Sequence, residues 1–114
     1  MENKNASSIQ EINEQILELE NKILELETKL IESKRDFEIK LLDKTSEMER
    51  EYKNNKDPEL STIQKRDAKA MEDAIIYSLF EENRLLEHTI KVKKINLRYI
   101  ERKFKISLKQ IEYE

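Results

Sequence analysis

Glycine, cysteine and tryptophan are absent from this chain, and proline and histidine each occur once. Without cysteine there is no disulfide framework, no thiol nucleophile and no thiolate metal site. A single histidine does not support a zinc site built on imidazoles. Without glycine the phosphate-cradling loops are excluded, because they need close backbone approaches that a Cβ obstructs. Sheets and compact mixed folds lean on glycine and proline at their turns. A chain of 114 residues with one proline is therefore expected to be mostly helix, in one domain at most. The longest uninterrupted apolar run is Ala74-Ile75-Ile76-Tyr77, far below the roughly 20 residues that span a bilayer. The opening MENKNASS lacks a basic start followed by an apolar core. No secretory signal is read there, and the expected location is intracellular and cytoplasmic.

What the chain has is charge and periodicity. Charged residues make up 41% of it, and high charge with sustained apolar heptads is the composition of long helices and coiled coils. From Ile16 to Asp43 the sequence reads ILELENK, ILELETK, LIESKRD, FEIKLLD, four seven-residue blocks that superimpose. Ile16, Ile23, Leu30 and Phe37 recur every seven residues, with Leu19 and Leu26 three residues after the first two. A strict seven-residue repeat makes a seam that winds slowly around a helix of 3.6 residues per turn, and a partner helix follows it by supercoiling. Ile9 and Ile12 extend the seam backwards and Ser33 interrupts it. After Phe37 the spacing slips through Leu41 and Met48 to Tyr52, like an inserted four-residue stutter. Leu17, Leu24 and Ile31 follow the seam residues directly and widen the apolar face, as expected of a helix with more than one neighbour. A packed seam accounts for this spacing without any ligand.

Punctuation falls in one place, Lys53-Asn54-Asn55-Lys56-Asp57-Pro58. Asn and Asp tolerate turn conformations, and Pro58 suits the first helical position with Asp57 as its N-cap. The expected organisation is a short polar tail at 1–7, a helix at 8–53 opened by a Ser8/Glu11 capping box, a turn at 54–57 and a helix at 58–114. Ser61 with Gln64 offers a slightly later cap for the second helix. Around 90–108 the apolar residues also alternate with period two, as in a strand, but the helical spacing spans the whole region and no turn residue divides it.

The fold class expected is all-α: an antiparallel two-helix coiled-coil hairpin, assembled further into a helical bundle. The second helix carries two apolar stripes. One contains Ile63, Ala70, Ala74, Leu85, Val92, Ile95 and Tyr99. The other contains Ile76, Leu79, Leu86, Ile90, Leu97, Ile100, Phe104, Leu108 and Ile111, with Asn83 and Lys93 at intervening positions. Folding at a tight turn places residue i opposite roughly residue 111 minus i, so Leu19 meets Val92, Ile16 meets Ile95, Ile12 meets Tyr99 and Leu26 meets Leu85. Phe37 and Leu41 then meet the small Ala74 and Ala70, large against small. Arms of about 45 residues would be roughly 65–70 Å long at 1.5 Å per residue. The first stripe is used by the hairpin and the second is left over, and large exposed apolar patches mark interfaces. Ile76, Leu79, Asn83, Leu86, Ile90, Leu97, Ile100, Phe104, Leu108 and Ile111 are thus the expected partner or oligomer interface, with the residues from about Ile106 overhanging. Asn83 at a seam position can fix register and oligomer state at some expense of stability.

Charge is uneven. Residues 1–53 hold 9 bases and 14 acids, residues 54–88 hold 5 and 8, and residues 89–114 hold 8 and 3. The expected hairpin sets Lys91 to Arg102 beside Glu11, Glu14, Glu18 and Glu20. Exposed pairs contribute roughly 0–1 kcal/mol each but together favour one register. The alternative use of Lys91, Lys94, Arg98, Arg102, Lys103 and Lys105, with Tyr99 and Phe104 interleaved, is to follow the phosphates of a nucleic acid or an anionic surface. Overall acidity argues against strong non-specific DNA affinity. His88, near the first stripe and opposite Ile23 in that register, reads as a partly buried, satisfied histidine. Glu81/Glu82 and Asp43/Glu47 have the residue types for acid–base work, but nothing in the pattern builds a water-excluding pocket to tune them. No enzyme, no metal and no cofactor is expected. The expected function is protein–protein interaction as a scaffold or adaptor, with itself or another helical protein. Nucleic-acid association, or a chaperone-like cap on a partner's apolar helix, stands as the alternative.

Overall fold

A computed structural model describes the backbone of residues 4–113 and the side chains of residues 9–112. Three α-helices account for almost all of it: α1, Lys4–Asn55; α2, Ile63–Ala70; and α3, Ala74–Tyr113. A short 3-10 turn, Pro58–Leu60, precedes α2. No strand occurs among the described residues, so the period-two alternation at 90–108 is helical. The first helix does not start at the Ser8 box; it is already helical from Lys4.

Helix α1 runs for 52 residues without a glycine or proline to interrupt it. It ends through an unusual residue. Lys56 has φ 54°, in the left-handed region, and its N–H donates to the Tyr52 carbonyl at 2.7 Å. That is the left-handed helix cap normally filled by glycine. In a chain with no glycine, a lysine fills it.

The second helix expected over 58–114 is divided. Asp57 does cap, with its side chain accepting from the Glu59 N–H at 3.0 Å, and Pro58 does open the element. That element is a single turn, however. Thr62, and not Ser61, then caps α2 by accepting from the Lys65 N–H at 3.1 Å. Three contacts tie α2 back to the turn: Lys65 Nζ to the Pro58 carbonyl at 3.1 Å, Arg66 to the Leu60 carbonyl at 2.9 Å, and Lys69 to Glu59 at 3.2 Å. After Met71 a second cap begins α3, Asp73 Oδ1 accepting from the Ile75 and Ile76 amides at 2.9 and 3.2 Å.

The chain divides into two compact units, one formed by 1–28 with 87–114 and the other by 29–86. The core of the second unit is Met48, Leu60, Ala70 and Ile76, bordered by Phe37, Leu41, Tyr52 and Met71. Ala70 is wholly inaccessible to solvent. This cluster explains why α2 and α3 are separate helices: the breaks at 61–62 and 71–73 bring Leu60, Ala70 and Ile76 together on Met48. Burial of these side chains outweighs the few backbone hydrogen bonds lost. Phe37 stacks tilted on Phe80, ring centres 6.1 Å apart, so its aromatic partner lies beyond the expected Ala74. Within the first unit Ile16, Ile23, Leu26 and Ile90 are buried, and Glu27 pairs with Lys94 at 3.3 Å. The register counted from a tight turn is therefore displaced, because the connection between α1 and α3 contains a helix of its own.

Candidate interaction surface

Two apolar stripes were available on the C-terminal half, and burial distinguishes them. In the second unit Ile76 and Asn83 are buried, and Leu79 and Leu86 half-buried. In the first unit Ile90 is buried, Leu97, Ile100, Phe104 and Ile111 are half-buried, and Leu108 is exposed. The stripe expected to be spare is thus the one that packs. The stripe expected to pack is exposed at Ile63 and Leu85 in the second unit and at Val92, Ile95 and Tyr99 in the first, with only Ala70 of that set buried. The physical reason is visible in the spacing. Ile76, Leu79, Asn83, Leu86, Ile90, Lys93, Leu97, Ile100, Phe104, Ser107 and Ile111 alternate steps of three and four without a gap. Leu85, Val92 and Tyr99, with Ile106 continuing the row, supply one residue per seven, and only Ile95 adds a second. Two residues per heptad bury more area than one.

Besides Ile95 and Leu108, the apolar surface left open in the first unit forms two rows of seven-residue spacing. On α1, Leu17 and Leu24 are 52% and 64% exposed. On α3, Val92, Tyr99 and Ile106 are exposed at the same seven-residue spacing. By helical-wheel position the two rows fall on opposite sides of the buried seam. At 100° per residue, Leu24 shares its flank with Glu27 one turn on, and that is the flank of the Glu27–Lys94 ion pair. Tyr99 and Lys103 instead border an open groove of about 880 Å³ that α1 lines with Gln15, Glu18, Lys22 and Glu25.

The six basic residues singled out for anion binding, Lys91, Lys94, Arg98, Arg102, Lys103 and Lys105, all lie on exposed α3 positions of the first unit. Lys94 is engaged with Glu27, and Lys103 Nζ stands 5.3 Å from the centre of the Tyr99 ring, a cation–π contact. The other four make no ion pair within 4 Å among the described residues. His88 is exposed rather than partly buried. Among the described residues no group of three or more His, Asp or Glu side chains is gathered as a metal site, and no helix is long and apolar enough to cross a membrane.

The residues that sequence reasoning placed inward, Val92 and Tyr99, are the open ones, and Ile106 belongs with them. Their one-per-heptad spacing was the signal. No family model, curated protein or solved structure matches this chain.

Proposed function

We propose that this chain is a non-enzymatic interaction protein, an antiparallel coiled-coil hairpin whose remaining apolar stripes dock other helices in a scaffold or adaptor assembly. The observation that carries the reading is the exposure, at helical seven-residue spacing, of Leu17 and Leu24 on α1 and of Val92, Tyr99 and Ile106 on α3. Side chains of this size left in regular rows on a water-facing surface favour association. The hairpin is supported within the second unit, where Phe37 meets Phe80 and the later Met48 packs with the earlier Ile76. Such pairings run in opposite chain directions.

The test is a photo-cross-linking side chain placed at position 24 or 99, both exposed. A discrete, saturable protein adduct that depends on the neighbouring apolar residues is the expected result. A chain that yields no adduct from either position in its host cell overturns the reading.

A second reading rests on Lys91, Arg98, Arg102 and Lys105, which keep exposed positions and no acidic partner among the described residues. In it, α3 follows nucleic-acid phosphates. Binding of a single-stranded or duplex oligonucleotide that weakens steeply with salt, with a slope set by the number of contacts, would select it.

A further inference from the structure

The two open stripes of the first unit differ in charge, and the difference is complementary. Side chains three and four positions away are the neighbours of a helical residue. Around Leu17 and Leu24 these are Asn13, Glu14, Glu20, Asn21, Glu27 and Thr28, three acids and no base. Around Tyr99 and Ile106 they include Arg102, Lys103 and Lys109 and no acid. Glu14, Glu20, Arg102 and Lys109 carry no ion pair within 4 Å among the described residues, so pairing inside the unit leaves both sets available.

We propose that the occupant of each stripe is a second copy of this chain. The Leu17/Leu24 face of one copy packs on the Val92/Tyr99/Ile106 face of the next, with Glu14 and Glu20 set against Arg102 and Lys109. Both rows repeat at about 10.5 Å, seven residues of helix rise, so side chains of one interleave between those of the other. The inference rests on the interaction reading above and names its partner. It also fixes the geometry of growth. Because the two faces differ and fall on opposite sides of the buried seam, the contact is head-to-tail: each copy that uses one face still offers the other. The assembly extends beyond a dimer, as a ring or an open row, and salt weakens it by screening the edge charges.

Sedimentation of the full chain over a concentration range, with Leu24→Glu and Tyr99→Glu variants, tests this. Both positions are exposed, and far-UV circular dichroism confirms that the helices persist. The natural chain is expected to grow past a dimer. Each variant alone is expected to lose growth, with association weakened at least about tenfold, as for loss of a central apolar contact. An equimolar mixture of the two variants is expected to form a one-to-one dimer and nothing larger, since one intact pair of faces remains. Three results overturn the inference: a closed dimer indifferent to Tyr99→Glu, a monomer at every concentration, or a monomer that sediments with vesicles containing phosphatidylserine. If the chain is monomeric and the cross-linker at position 24 still captures a different protein, the self-partner falls and the interaction reading stands. If neither position 24 nor position 99 captures anything, both fall.

Discussion

Lys56 holds a conformation that an L-residue with a Cβ adopts at a penalty of about 1–2 kcal/mol. Lys56→Gly removes that penalty while adding chain freedom to the unfolded state, and it should stabilise the protein by about 0.5–1 kcal/mol. The urea midpoint is expected to rise with an unchanged m-value. Asn83 presents the opposite case. Its Oδ1 is buried with no hydrogen-bond partner among the described residues, as is Ser33 Oγ, so both are destabilising where they stand. Asn83→Leu should raise stability by about 1–3 kcal/mol, and a calorimetric scan measures it. If Asn83 also selects one register, the more stable variant should give broadened or doubled NMR amide signals. The seam position of Asn83 was legible in the sequence. Lys56 as a left-handed cap was not, because nothing in its side chain announces it; only the absence of a glycine nearby leaves the position to some other residue.

Among the elements, α3 depends on a cap that the sequence displayed and that the continuous helix expected over 58–114 absorbed. Asp73 directly precedes an apolar run and its carboxylate holds two amides. Asp73→Ala should destabilise by about 1 kcal/mol, read as a lower denaturation midpoint. Among the ties that hold the short α2 to the turn is the exposed pair of Lys69 and Glu59. Their contact raises the Lys69 pKa above its ordinary 10.5, through the hydrogen bond from Lys69 to Glu59 first and the charge of Glu59 second. A group raised on folding stabilises below its unfolded value, so the contribution is present through neutral pH and is lost as pH climbs beyond the ordinary lysine range. Stability against urea should therefore decline there less steeply in Lys69→Gln than in the natural chain. The all-helical class followed from composition, since 114 residues without glycine leave few ways to turn. The division of 58–114 into a turn and two helices did not. It arises from packing among Leu60, Ala70, Met48 and Ile76, residues distant in sequence whose meeting no local pattern records.

For the molecule as a whole, the density of apolar residues per heptad decided which stripe faced inward, and with it which residues were left for a partner. The seven-residue rows themselves were legible; choosing between them required counting residues per heptad as well as counting back from the turn. Burial is uneven between the units. The second has a compact cluster around the inaccessible Ala70, whereas the first is a seam open along both flanks. Amide hydrogen exchange should accordingly be slowest at Ile76 and its neighbours on the cluster and faster along the open seam of the first unit.

The sequence distance each unit must close also differs. Met48 and Ile76 enclose a short loop, while Glu27 and Lys94 enclose a much longer one. Loop-closure entropy rises with length, so the short-range cluster forms first and the open seam follows. On a ribosome this ordering becomes a schedule. Segment 1–28 is made well before 87–114, the segment that shares its unit. Until 87–114 follows, the Ile16, Ile23 and Leu26 row is a bare helix face in search of a mate. Neighbouring nascent chains on one messenger offer the same face at high local concentration.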